Sequence, residues 1–211
     1  MSITLAIIIV TVLISYQAFK NYNIIDKLKH HPYSEHNKKE YYRMLSSGFV
    51  HGNSTHLLIN MFVLYMFGTT IEPVFGFLYN ETMGPIIFLV FYLSAIFAAD
   101  IPSHFKHRNN YNYAAVGASG ATSALVIVYC LLDPWNWFIY PPVPAIVFAL
   151  GYIYYSHWAE TRNKADGIGH SAHLYGALYG IVFIVLTNPK VCLIFFNKIM
   201  EGPVWPPPIF N

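Results

Sequence analysis

Six stretches of the 211-residue chain contain no Asp, Glu, Lys or Arg: residues 1–19, 44–71, 82–99, 109–132, 134–159 and 167–189. Each is 18 residues or longer, which is the length a helix needs to cross a hydrocarbon core of about 30 Å at 1.5 Å per residue. A soluble domain carries roughly a quarter of its residues as charges and interleaves them with short apolar runs, whereas here the charged share is 10%. A soluble enzyme is excluded. The gaps take up 138 residues and leave 73 for all loops and tails, too few for a second folded domain. The expectation is an all-α membrane protein: six transmembrane helices in one compact bundle over residues 1–211, with spans at about 3–19, 56–79, 83–101, 118–132, 143–159 and 169–187.

The first stretch has neither a basic leading region nor a small-x-small cleavage site, so it reads as a retained helix and not a signal peptide. The long first loop, 20–55, turns polar at Pro32, and Ser34 is placed to cap a short amphipathic helix running toward Leu45. Residues 202–211 hold four prolines and cannot be helical throughout; an extended strap on the membrane surface is expected. Cys130 and Cys192 show no metal or disulfide spacing and read as structural. No cofactor is implied. A dispersed net charge of +2 gives no footprint for nucleic acid, so lipid is the expected partner. No internal repeat supports a transporter.

Counting crossings sorts the polar residues. With the N-terminus on side A, loops one, three and five lie on side B. His56 and Asn60 open span two, Ser119 opens span four, and His170 and His173 open span six, all at side B. Polar side chains inside spans are costly and mark functional sites. Ser119 to Leu132 covers 14 residues, about 21 Å of helix. That sets Ser119 roughly 10 Å below the side B surface. Non-helical backbone at that depth, here Gly117-Ala118, requires surrounding protein or a water-filled cavity.

Ser119 lies next to Gly117 and Gly120 at a loop-to-helix junction. A hydroxyl is a weak nucleophile that needs a base within hydrogen-bond reach, and a helix N-terminus offers N–H groups to a developing oxyanion. The plain alternative is an N-cap serine among packing glycines. The favoured base is His173, which shares a helical face with Gly176 and Gly180. Small residues there let span four approach through its own Gly120 and Ala124. His170, one turn nearer the surface, is the substitute. His56 and Asn60, at i and i+4, share a face and bring side-chain N–H donors to an oxyanion hole; interhelical glue is the alternative for Asn60. Asp166 is seven residues before His173, so a Ser-His dyad is more economical than a triad. Zinc held by His51, His56, His170 and His173 lacks an accompanying acid or thiol, and no His-Glu-x-x-His is present.

Taken together, Tyr42-Arg43, Ser47-Gly48-Phe49-Val50-His51-Gly52, His56 with Asn60, Glu72, Gly117-Ala118-Ser119-Gly120, and Ala172-His173 with Gly176 and Gly180 resemble the rhomboid intramembrane serine proteases. The resemblance runs from Tyr42 to Gly180. It implies that Ser119 is the nucleophile, His173 its base, and His56 and Asn60 the oxyanion hole. Arg43 and Glu72 would be scaffold, and the substrates transmembrane segments of other proteins, cut near the membrane boundary. A catalytically inactive rhomboid-like protein that binds membrane clients is the alternative. One position departs from the pattern. Four residues after the serine many rhomboids carry an aromatic residue under the histidine ring, and this chain has Ser123; Tyr175 or Tyr179 would have to compensate. Orientation is contested as well. Loops one, three and five hold ten Lys and Arg against two, Lys190 and Lys198, on side A. That places side B in the cytoplasm by the positive-inside rule. The resemblance implies the reverse, with the active site facing outward from a bacterial inner membrane.

Overall fold

Every charge-free stretch folds around a helix, and the long first loop contributes several more. The computed structural model describes residues 2–139, 141–162 and 169–203. In chain order the helices are α1 (Ile3–Lys20), α2 (Tyr22–Leu28), α3 (Pro32–Lys38), α4 (Arg43–Ser46), a 3-10 turn (Ser47–Phe49), α5 (Ser54–Tyr79), α6 (Met83–His107), α7 (Ser119–Leu132), α8 (Ala145–Thr161), α9 (His170–Thr187) and α10 (Lys190–Glu201). Four of them, α1, α5, α6 and α9, are long and apolar enough to cross a membrane. The other two expected spans are shorter, 14 residues in α7 and 17 in α8. The expected strap lies outside the described residues from 204 onward, as does Asp166.

The bundle is built around α7. Ten of its residues, Gly120 to Val128 and Cys130, are buried, and it packs against α5, α6, α8 and α9. Around it, Leu64, Ile71, Phe75, Phe88, Phe91, Tyr92, Ala95 and Ile184 complete the core. The outer helices turn large apolar side chains outward, among them Leu13, Leu58, Phe62, Leu150 and Leu186. An apolar exterior on this scale is a lipid-facing surface.

The carboxylate of Glu72 lies within α5 for a clear electrostatic reason. Glu72 accepts hydrogen bonds from the backbone N–H of Ile3 (2.7 Å) and Thr4 (2.9 Å) and from the Ser2 hydroxyl (2.6 Å). It thereby satisfies donors that a helix start leaves open, and its charge faces the positive end of the α1 dipole.

Loop one is anchored through buried polar groups. Both Glu35 oxygens are used: Oε1 accepts from His30 Nδ1 at 2.6 Å and from the His31 backbone N–H at 3.0 Å, and Oε2 accepts from His104 Nδ1 on α6 at 2.7 Å. The remaining nitrogen of His30 meets Ser103 Oγ at 2.8 Å, and Ser47 donates to Asp100 at 3.0 Å. Arg43 donates to Glu40 and to the carbonyls of Asp26 and Lys29, tying the loop to itself. These contacts also explain why α6 continues to His107, past its expected end near residue 101: its last turns carry the anchors for the loop.

Two expectations need correction. Ser34 does not cap a helix toward Leu45. Pro32 takes the first helical position of α3 behind His31, where its fixed φ and missing N–H are tolerated, and the helix stops at Lys39, which has a φ of 61°. Helix α10 was not expected, because Lys190, Lys198 and Glu201 interrupt its apolar pattern. It packs on α7 and α9 through the buried Val191, while Lys198 Nζ donates to Asp133 at 3.0 Å.

Burial alone would raise the Glu35 carboxyl, but the hydrogen bond and charge of His30 and the bonds from His104 and His31 outweigh it, holding the group below the ordinary carboxylate range. Its contribution to stability is therefore present above its unfolded value, near pH 4.3, and is lost as pH falls through the lower folded value. Glu35→Ala, which strands three buried donors, should destabilise the protein by about 3 kcal/mol or more and flatten that acid limb. Thermal unfolding in detergent across pH 3 to 7 measures both effects.

Candidate functional site

Ser119 is the first residue of α7. Ala118 holds the N-cap position and no side chain caps the helix, so the plain N-cap role for Ser119 does not apply. Ser119 is half-buried at this helix start, whose first N–H groups have no acceptor within the helix. The approach to it is tightly constrained. Gly117 has a φ of +118°, which favours glycine, and a methyl group on its Cα would lie 2.6 Å from Cε1 of His56. The His56 imidazole therefore lies against the backbone two residues from Ser119.

His173 stands in the first turn of α9, its N–H bonded to the Gly169 carbonyl at 3.0 Å. Glycines set how near α9 comes to α7. A methyl group at Gly176 would fall 2.1 Å from the Gly120 carbonyl oxygen, and one at Gly180 would fall 2.7 Å from that of Ala124. The two backbones are in contact immediately after Ser119 and His173, which brings the helix ends bearing them together. His170, expected nearer the rim, is instead buried at 4% exposure, edge-on to Tyr155 at 5.6 Å. Packing of α8 over this end of α9 accounts for the difference.

Asn60 is buried between α5 and α7. Its Nδ2 donates to the His56 carbonyl at 2.9 Å and its Oδ1 accepts from Thr122 Oγ1 at 3.3 Å. One amide hydrogen is thus engaged and the second faces away from that bond. His51 and His56 stand ring-to-ring, with centroids 5.0 Å apart. Among the described residues, no three His, Cys, Asp or Glu are arranged to hold a metal ion.

Sequence reasoning missed the part played by three contributors. His51 is wholly buried. Burial and the neighbouring His56 push it down to about 3, so it is neutral in the ordinary pH range. Its Nε2 accepts the Ala118 N–H at 3.4 Å, which puts the proton on Nδ1, facing Ser15 Oγ at 3.0 Å; Ser15 in turn donates to the Phe49 carbonyl. His51 thus braces the loop ahead of Ser119 from α1. Loop one braces it again, because Ser47 O accepts the Gly117 N–H at 2.9 Å and His30 exchanges two 3.0 Å backbone bonds with Ala115. The third contributor is Tyr152 on α8. Its ring stacks on His173, with centroids 6.1 Å apart and planes 23° apart, and its hydroxyl meets Ser123 Oγ at 2.5 Å. The expected compensators are engaged elsewhere: Tyr179 bonds Ser94 and stacks on Phe91, and Tyr175 is exposed. The period of α8 alone could not have shown that residue 152 meets residue 173.

Residues 38–190 match the sequence model of a family described as the Rhomboid domain. The chain belongs to the rhomboid family. This rhomboid is 30% identical over 170 residues to "Rhomboid-like protein 11, chloroplastic" of Arabidopsis thaliana, a match covering 74% of this chain and 56% of that protein. It is 30% identical over 167 residues to "Presenilin-associated rhomboid-like protein, mitochondrial" of Rattus norvegicus, covering 77% of this chain and 41% of that one. A third relative, "RHOMBOID-like protein 2" of Arabidopsis thaliana, is 28% identical over 151 residues, covering 71% and 44%. The rhomboid chain therefore spans about half the length of the curated relatives it matches. Two of these relatives carry names that place them in a chloroplast and a mitochondrion, and the bacterial inner membrane expected above gains no support from them.

Because backbone lies on both sides of the Gly120 contact, neither helix can yield by moving a side chain. Gly176→Ala should cost about 2 to 3 kcal/mol through forced separation of α7 and α9. Thermal unfolding of the detergent-solubilised variant beside wild type measures the loss.

Proposed function

We propose that this rhomboid is an intramembrane serine endopeptidase that cuts transmembrane segments of other proteins near the membrane boundary. The observation that carries the reading is the Gly120–Gly176 backbone contact, which joins the helix end bearing Ser119 to the one bearing His173. In this reading α7 and α8 cross the membrane with the four longer helices, giving six spans. The short α7 leaves Ser119 below the membrane surface, where loop one and the loop ahead of Ser119 admit water. Ser119 Oγ attacks the scissile carbonyl carbon while His173 accepts the hydroxyl proton. The carbonyl oxygen becomes an oxyanion facing the Ser119 N–H, Asn60 and His56. His173 then protonates the leaving amine, and water releases the acyl group by the same route in reverse.

The deciding experiment is labelling of the purified protein by a fluorophosphonate probe, with Ser119→Ala as control, alongside cleavage of a transmembrane substrate. Ser119→Ala and His173→Ala should each abolish both, and the double variant should be no worse, because the groups act as one unit. A folded protein that is never labelled at Ser119 would identify a client-binding rhomboid. Asn60→Ala should slow turnover by roughly 10²- to 10³-fold with little change in substrate binding. Activity should fall in acid, since a protonated imidazole accepts no proton.

Orientation has its own test. The reading puts the N-terminus in the inner compartment and the site on the opposite face, with loop-one cations meeting anionic headgroups. Asn37 is exposed on α3. A cysteine there, in a variant lacking Cys130 and Cys192, should react with an impermeant maleimide added from the outer side of sealed membranes; reaction only after lysis would reverse the topology.

A further inference from the structure

Helix α8 contributes a residue, Tyr152, that meets His173 directly and reaches Ser119 through Ser123. Ser123 Oγ lies 2.6 Å from the Ser119 carbonyl oxygen, which can only accept, so the single Ser123 hydroxyl proton points there. At 2.5 Å from Tyr152, Ser123 must then accept, and Tyr152 donates. The result is a directed chain from the Tyr152 hydroxyl through the Ser123 hydroxyl to the Ser119 carbonyl. The Tyr152 ring, meanwhile, is stacked with two others: Phe148, one turn back on α8, at 5.8 Å and 18°, and His173 at 6.1 Å and 23°. Phe148 is itself wedged against Phe138 at 4.8 Å, and Phe138 against Phe67 at 5.8 Å. Ring contacts thus link the His173 imidazole through Tyr152, Phe148 and Phe138 to Phe67 on α5.

We propose that Tyr152 is the positioning residue of the dyad, fixing the plane of His173 with its ring and the backbone of Ser119 through Ser123. The proposal rests on the serine-protease reading. Proton transfer requires the imidazole nitrogen to be held along the serine O–H direction, and a misplacement of about 1 Å can cost on the order of 100-fold in rate. The ring limits rotation of the imidazole, while the hydroxyl chain limits movement of the helix start that carries the nucleophile. A platform supplied by α8 explains how a chain with Ser123 four residues after its serine keeps the histidine in place.

The test is the rate of fluorophosphonate labelling, resolved into the inactivation rate constant and the reversible binding constant. In that reaction Ser119 Oγ bonds to phosphorus, the P–F bond breaks, fluoride leaves and His173 takes the hydroxyl proton. Tyr152→Leu should lower the rate constant by roughly 10- to 100-fold and leave the binding constant within about twofold. Tyr152→Phe keeps the ring and should recover all but about threefold of that loss, in line with one neutral hydrogen bond. Ser123→Ala should match Tyr152→Phe, and the pair combined should be no slower than either alone. An independent signature is the His173 Cε1–H resonance in a Ser119→Ala background: the Tyr152 ring current should displace it in wild-type and Tyr152→Phe protein and not in Tyr152→Leu. A folded Tyr152→Leu protein with wild-type labelling and an unmoved resonance overturns the proposal. If Tyr152→Leu does not fold, additive effects of Tyr152→Phe and Ser123→Ala overturn it. A wild-type protein that is never labelled defeats the protease reading instead, and the resonance then decides the role of Tyr152 alone.

Discussion

The contact on which the molecule depends is the one between the α7 and α9 backbones at Gly120 and Gly176. In lipid, helices gain little from hydrophobic burial against one another, so close packing and polar contacts must hold them. Two glycines and Ala124 remove the side chains that would keep these helices apart, and the packing continues along the face through Gly180. Ser119 and His173 occupy the neighbouring turns and inherit their spacing from this contact. The core around α7 then fixes it further, since α5, α6 and α8 also pack against that helix.

The polar interior is split between two tasks. In loop one, Glu35 gathers donors from the adjacent His30 and His31 and from His104 on α6, a satisfied network in a place where an unpaired charge would be costly. That network positions His30 and Ser47, whose backbones hold Ala115 and Gly117. The scaffold thus reaches the site through main-chain hydrogen bonds, which depend on the fold of the loop and not on the identity of Ser119 or His173. His51 adds a side-chain brace from α1 to Ala118.

Much of this was legible in the sequence, and the limit has a physical basis. Charge-free length exposed the helices, because long apolar helices are what a bilayer demands. Ser119, His173 and the glycines near them were readable because small and polar residues are conspicuous inside apolar spans. Tyr152 was not, because a tyrosine in an apolar helix is ordinary, and only the rotation of α8 about its axis determines whether it faces outward or meets the imidazole. His51 looked like one more histidine until burial showed it to be neutral. Helix α10 escaped because its charges break the very pattern that revealed the others, and the start of α3 was misjudged because Ser34 is a good cap while Pro32 is a better first residue.

The bonds to Glu72 also bear on the order of synthesis. The donors of α1 and their carboxylate are about 70 residues apart in the chain. At 5 to 20 residues per second, roughly 4 to 14 s pass between production of the start of α1 and of its cap. During that interval the start of α1 must find other acceptors, among headgroups or interfacial water, and it gives them up only when the far end of α5 arrives. Helix α1 cannot be secured at its own N-terminus until α5 is nearly complete.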